Sequence, residues 1–143
     1  LAKQLAQYVV IYSPLQMASD DPYAYEGKKA FDFIKDVPCD WHESHVLDAV
    51  IGDYVITARR DRNSEDWYLG AITDENAREL SVSLAFLEPG AEYTAQIYAD
   101  GPDASYENNP ESVTYSELTV TSSDNLDMSL ATSGGCAVRF VKK

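Results

Sequence analysis

The stretch Leu126-Asp127-Met128-Ser129-Leu130, followed after Gly134-Gly135 by Cys136-Ala137-Val138-Arg139-Phe140, decides the fold. In both runs every second residue is apolar. A period of two places those side chains on one face of a strand and their neighbours on the other. The same alternation occurs upstream in Val82, Leu84 and Phe86, and in Tyr93, Ala95 and Ile97. Candidate strands are His45–Ile51, Tyr54–Arg60, Trp67–Thr73, Leu80–Phe86, Tyr93–Ala99, Val113–Thr121, Leu126–Leu130 and Cys136–Lys142. Turn formers stand between them: Gly52-Asp53, Asn63-Ser64, Pro89-Gly90, Asp100-Gly101-Pro102, Asn108-Asn109-Pro110, Asp124-Asn125 and Gly134-Gly135. About eight short strands with this punctuation predict a mainly β protein, an antiparallel β-sandwich.

The sequence before residue 39 reads differently. Apolar residues crowd Leu1 to Ala18 on more than one face, which predicts a helix buried on several sides. Pro14 would cost about 3 kcal/mol inside a helix, so a kink is expected near Ser13-Pro14. No capping residue precedes Leu1, so the helix is expected to begin upstream of the chain. Ser19–Gly27 is a loop, and Ala30, Phe31 and Ile34 mark a short amphipathic helix over Lys28–Asp36, ended by Pro38. The expected organisation is a helical segment, 1–38, and a sandwich domain, 39–143. A small sandwich closes its own core, so the apolar opening helix is expected to need a partner outside this chain, and to drive self-association without one.

With 45% hydrophobic and 24% charged residues the chain can bury a core and does not resemble a disordered one. Its 24 acidic and 11 basic residues give a formal net charge of −13. Such a surface repels phosphate backbones and anionic lipid, which argues against nucleic-acid and membrane partners. Lys3, Gln4, Gln7 and Gln16 interrupt the opening run, so no membrane span is expected, and no signal-peptide pattern is present. Cys39 and Cys136 have neither zinc nor redox spacing; two separate buried thiols or a disulfide both fit the sequence.

Few residues carry a chemical motif. Asp61, Asn63, Glu65 and Asp66 imitate the start of a calcium loop, but Gly is missing at the sixth place and Ile72 stands where the closing Glu belongs. His42 and His45 are three apart with Glu43 as the only nearby acid, which suits surface histidines better than a metal pair. Trp67 and Tyr68 adjoin, so one should enter the core and the other face outward. An outward aromatic is a candidate sugar-stacking platform, or a domain-interface residue. No G-x-S-x-G elbow and no phosphate-binding glycine loop occurs. The acidic residues lie mostly in turns, so no catalytic pair, cofactor site or metal site is assigned within the chain.

Leu1-Ala-Lys-Gln-Leu-Ala-Gln-Tyr-Val-Val-Ile-Tyr-Ser-Pro-Leu-Gln-Met-Ala18 resembles the final barrel helix of glycoside hydrolase family 97, bacterial α-glucosidases and α-galactosidases. The likeness continues through Phe31-Asp-Phe-Ile-Lys-Asp-Val-Pro38, Asp40-Trp41 and Ile51-Gly-Asp-Tyr-Val-Ile-Thr-Ala-Arg-Arg60. Its most specific part is Asp61-Arg-Asn-Ser-Glu-Asp-Trp-Tyr-Leu-Gly-Ala-Ile-Thr-Asp-Glu-Asn-Ala-Arg78, and Tyr93 to Gly101, Gly134-Gly135 and Arg139-Phe140 also fit. The resemblance implies a central (β/α)8 catalytic barrel upstream and a C-terminal β-sandwich here, one that packs on the barrel and aids oligomerisation. It places the catalytic acids and the calcium-ligating glutamates upstream, and the parent enzyme in the periplasm or outside the cell. The expected role is non-catalytic support of an α-glycoside hydrolase; the alternative is a carbohydrate-binding module of the same enzyme.

Overall fold

A computed structural model describes residues 1–143. In chain order the elements are α1 (Ala2–Val10), a 3-10 turn (Pro22–Tyr25), α2 (Ala30–Asp36), β1 (Trp41–Val50), β2 (Tyr54–Asp61), β3 (Trp67–Thr73), β4 (Arg78–Ser83), β5 (Tyr93–Asp100), β6 (Val113–Val120), β7 (Asn125–Leu130) and β8 (Gly135–Lys142). All strand pairs are antiparallel. Six strands form one sheet in the order β1-β2-β3-β8-β5-β6, and β4 and β7 form a second, two-stranded sheet. The mainly β, eight-stranded reading therefore holds, in a lopsided sandwich.

The lopsidedness explains the side-chain patterns. β7 buries Leu126, Met128 and Leu130 and exposes the residues between them, because only its inner face is covered. The two central strands, β3 and β8, are buried on both faces. Trp67, Leu69, Ala71, Cys136, Val138 and Phe140 enter the sandwich core. Tyr68 and Ala137 point the other way, into a second core with Leu5, Ala6 and Val9 of α1, Ala30 and Phe33 of α2, Trp41 and Tyr98. Phe33 sits edge-on to Tyr68 and Tyr98, with centroids 5.9 and 5.5 Å away. The helical stretch is thus a third layer on the large sheet, sharing a core with β3, β5 and β8. α1 lies close because β3 and β8 carry glycines beneath it. A Cβ on Gly70 would come within 2.5 Å of the Ala6 carbonyl oxygen, and one on Gly135 within 2.6 Å of the Lys3 Cα.

Several sequence expectations need correction. The opening helix ends at Val10 and does not resume after Pro14; Ile11 is already extended. Val9, Val10 and Ile11 are β-branched and crowd the preceding turn, and Pro14 disfavours the helical conformation at Ser13. The helix is not apolar all round in effect: Ala2, Leu5, Ala6 and Val9 form one fully buried stripe on the chain's own sheet. The apolar surface left over lies after the helix. The loop after it contains the 3-10 turn, started by Pro22 and capped by Asp21, whose carboxylate accepts from the Tyr23 N–H at 3.0 Å. The second helix starts at Ala30, not Lys28. β1 begins four residues earlier than expected, at Trp41. β4 runs over Arg78–Ser83 in place of Leu80–Phe86. Leu84 and Leu87 still reach the core, but from a turn in which the Leu87 N–H bonds the Leu84 carbonyl.

Candidate functional site

Trp67 and Tyr68 do take opposite faces of β3, as alternation requires, yet both are covered. Trp67 packs against Phe86 at 5.0 Å in the sandwich core. Tyr68 lies under the helices and donates its hydroxyl to the Asp36 carbonyl at 2.9 Å. Burial pushes its phenol pKa up, as expected for a neutral core donor. Neither ring offers a stacking face, so the expectation of an outward platform is corrected: the outer face of the sheet at this point is roofed by α1 and α2.

The other candidates are engaged within the chain. Asp61 closes its own turn by accepting from the Asn63 N–H at 3.1 Å and the Ser64 hydroxyl at 2.6 Å. Glu65 pairs with Lys142 at 2.8 Å, which lowers its pKa. Asp66 receives the Arg139 guanidinium through Nε at 3.1 Å and Nη2 at 2.9 Å. A third nitrogen of Arg139 bonds Asp36, so one side chain ties α2 to the β2–β3 turn. His45 Nε2 lies 3.1 Å from a Glu43 oxygen, and no group of three His, Cys, Asp or Glu side chains converges as a metal site would need. Neither thiol is bonded; Cys136 is buried, while Cys39 is only half-buried.

Carboxylates elsewhere serve the same purpose. Asp100 accepts from the backbone N–H groups of Ala131 and Gly135 at 3.0 and 2.8 Å and closes the β7–β8 turn. Asp74 accepts from the Asn76 N–H and from Arg78, and is held at about 2 chiefly by that backbone bond. Asp32, Asp103 and Glu117 are also lowered, chiefly by hydrogen bonds from Lys35, Ser112 and Tyr115 respectively. A glycosidase's general acid needs the opposite, a carboxyl raised by an apolar pocket. Asp74, Asp100 and Asp103 fasten turns, Asp32 pairs with lysines along α2, and Glu117 bonds side chains on β5 and β6.

What the molecule presents outward is the junction of α1 with the segment after it. Arg59, from β2, ends the helix. Its Nε donates to the Val9 carbonyl at 2.6 Å and its Nη2 to the Val10 carbonyl at 3.4 Å, while Nη1 holds Ser44. Its guanidinium lies 5.9 Å from the Tyr12 ring and 6.0 Å from Trp41. Beyond it Ile11, Tyr12, Leu15 and Met17 are 55, 61, 72 and 73% exposed. Sequence reasoning passed over Arg59, because its partners are 50 residues away and nothing local marks it. No helix is long and apolar enough to cross a membrane.

Residues 40–141 match the family described as glycosyl-hydrolase 97 C-terminal, oligomerisation. The chain belongs to this family. A glycoside hydrolase family 97 enzyme from Pseudoalteromonas sp. strain K8, solved in complex with panose, superposes with a TM-score of 0.96 at 51% identity, over 99% of this chain and 22% of that one. The same enzyme in complex with acarbose gives 0.95. The retaining alpha-galactosidase of Bacteroides thetaiotaomicron is 42% identical over 103 residues, 71% of this chain and 15% of that protein. A beta-arabinopyranosidase, at 24% identity and a TM-score of 0.74, shares the fold. The chain thus spans 22% of the Pseudoalteromonas enzyme and 15% of the Bacteroides galactosidase, and the superposition includes its helical layer.

Proposed function

We propose that this chain is the non-catalytic C-terminal part of an α-glycoside hydrolase, which supports the catalytic barrel and contributes to oligomer contact. The observation that carries this is the asymmetry of the match: 99% of this chain fits 22% of a much longer family 97 enzyme, and residues 40–141 match a family described as C-terminal. The use of its carboxylates supports the reading, since they close turns and pair with Lys and Arg. Periplasmic or secreted location, and calcium held by residues upstream, belong to the same proposal and rest on the family likeness.

Removing residues 39–143 from the parent enzyme is expected to lower its melting temperature and its oligomer mass in light scattering. An unchanged oligomer with unchanged melting would overturn the scaffold role. The 143-residue chain is expected to leave nitrophenyl α-glucosides and α-galactosides intact, and to give flat calorimetric traces with maltooligosaccharides, because the two candidate stacking rings are covered. Saturable heat would move the assignment to a carbohydrate-binding module.

A further inference from the structure

The six-stranded sheet has two edges, and they differ in how they are protected. β1 forms one edge, and its pairing shifts register between Trp41 and Glu43 and between Val46 and Asp48. Such irregularities turn an edge away from a foreign strand. β1 also carries Glu43, Asp48 and two histidines. The other edge, β6, lacks these safeguards. It pairs with β5 residue for residue from Val113 to Val120, with no shift. The run Val113-Thr-Tyr-Ser-Glu-Leu-Thr-Val120 contains no Pro, Lys or Arg, and Glu117 is its only charge. Thr114, Ser116, Glu117, Leu118 and Thr119 are exposed, and Leu118 is a large apolar side chain 49% open to water. The strands of the small sheet, β4 and β7, are six residues long and carry Arg78, Glu79 and Asp127. β6 is thus the long, regular, sparsely charged edge, the kind that accepts another strand.

Two bonds at the ends of β5 fix which groups of β6 face outward. The Gly101 N–H donates to the Ser112 carbonyl on the β6 side, and the Lys143 N–H to the Glu92 carbonyl on the β8 side. Both follow the registers of their ladders, so hydrogen-bonded pairs alternate from there. Thr114, Ser116 and Leu118 therefore turn their N–H and C=O groups to β5. Val113, Tyr115, Glu117 and Thr119 turn theirs to the open side, where no other main-chain group meets them. We propose that β6 pairs antiparallel with β6 of a second copy of this chain, so that two large sheets become one across a two-fold axis. The occupant follows from the family's description by oligomerisation and from the self-complementarity of the strand. Outward residues must oppose outward residues for the backbone to be satisfied. A register centred on Glu117 sets two carboxylates face to face, which is destabilising. One centred on Tyr115 leaves Thr119 opposite Glu111, beyond the strand. The register centred on Ser116 sets Val113 opposite Thr119 and Tyr115 opposite Glu117, and forms about eight main-chain hydrogen bonds. Lys29 Nζ lies 4.5 Å from the centre of the Tyr115 ring, so this register brings the partner's Glu117 beside a cation. In a molecule of net charge −13, a strand with a single carboxylate is where two copies meet with least repulsion.

This inference rests on the oligomer role proposed above and names its contact, and cysteine cross-linking separates the two. In the register centred on Ser116 that residue faces its own copy in a non-hydrogen-bonded pair, with Cα atoms about 4.5 Å apart, within reach of a disulfide. The two Thr114 residues stand about 14 Å apart, out of reach. Ser116→Cys and Thr114→Cys are made in the enzyme that contains this chain and treated with a mild oxidant. Non-reducing electrophoresis reads the mass, and mass spectrometry of peptides identifies the bridge. Ser116→Cys is expected to double in mass through a bridge between the two introduced thiols, and Thr114→Cys to remain single. Leu118→Lys, which adds a charge to the edge, is expected to weaken self-association in light scattering by about tenfold or more with an unchanged circular dichroism spectrum. An oligomeric enzyme with no Ser116→Cys bridge, and with Leu118→Lys associating as the wild type does, overturns the β6 contact and leaves the oligomer role standing. Bridging of Thr114→Cys as readily as Ser116→Cys overturns the contact too, because it marks random collision. A monomeric enzyme overturns both the contact and the oligomer role.

Discussion

Gly70 is where the helical layer is most sensitive. Alanine there places a Cβ 2.5 Å from the Ala6 carbonyl oxygen, 3.0 Å from the Val9 Cβ and 3.1 Å from a Val10 methyl. Two of these neighbours are β-carbon or backbone atoms that no rotamer change can move. To restore ordinary contact α1 must rise by about 1 Å, and a gap of that size forfeits roughly a quarter to a half of the dispersion energy across it. The helix buries Ala2, Leu5, Ala6 and Val9 completely. At about 1.5–3 kcal/mol for Leu and Val and about 0.8 for each Ala, that stripe contributes roughly 5–7 kcal/mol, so the loss is about 1–3 kcal/mol. Replacing a strand glycine returns about 0.5–1 kcal/mol. The net expectation for Gly70→Ala is a destabilisation of about 1–2 kcal/mol, a fall in Tm of about 3–7 °C at this chain length. Circular dichroism melting measures it, and exchange of the α1 amides should rise while β3 and β8 stay protected. A melting temperature at or above that of the wild type, with α1 still protected, would refute the claim that the helix rests on a glycine floor.

Two further expectations follow from the same structure. Asp74 has its folded pKa pulled from 3.8 to about 2, so it adds stability that is fully present above about pH 4 and lost as pH falls towards 2. Urea titrations between pH 5 and 2 should show that acid loss in the wild type and a flatter profile in Asp74→Asn; parallel profiles would remove Asp74 from the account. Burial raises the Cys136 thiol to about 12, whereas Cys39 is half-buried. Iodoacetamide at pH 8 is expected to label Cys39 and spare Cys136 until urea unfolds the chain, and prompt labelling of both thiols in the native protein would contradict the packing around β8.

The class of fold was open to reading because period-two alternation is a local property. Leu126, Met128 and Leu130 record one covered face, and the turn residues between strands record where the chain reverses. The composition likewise determined a strongly acidic chain, net charge −13, with enough apolar residues to bury a core. Other features depend on residues far apart in sequence. Trp67 and Tyr68 announce two faces, but whether the second is wet depends on α1, some sixty residues earlier, lying across it. Apolar content alone overstates the length of α1, which ends at Val10. β-branched residues and Pro14 limit it locally, while its end is fastened by Arg59 from another strand. The grouping of six strands against two, the glycine floor and the open edge at β6 arise only when strands and helices are placed side by side. Alternation states which residues avoid water, and tertiary contact alone decides what shelters them.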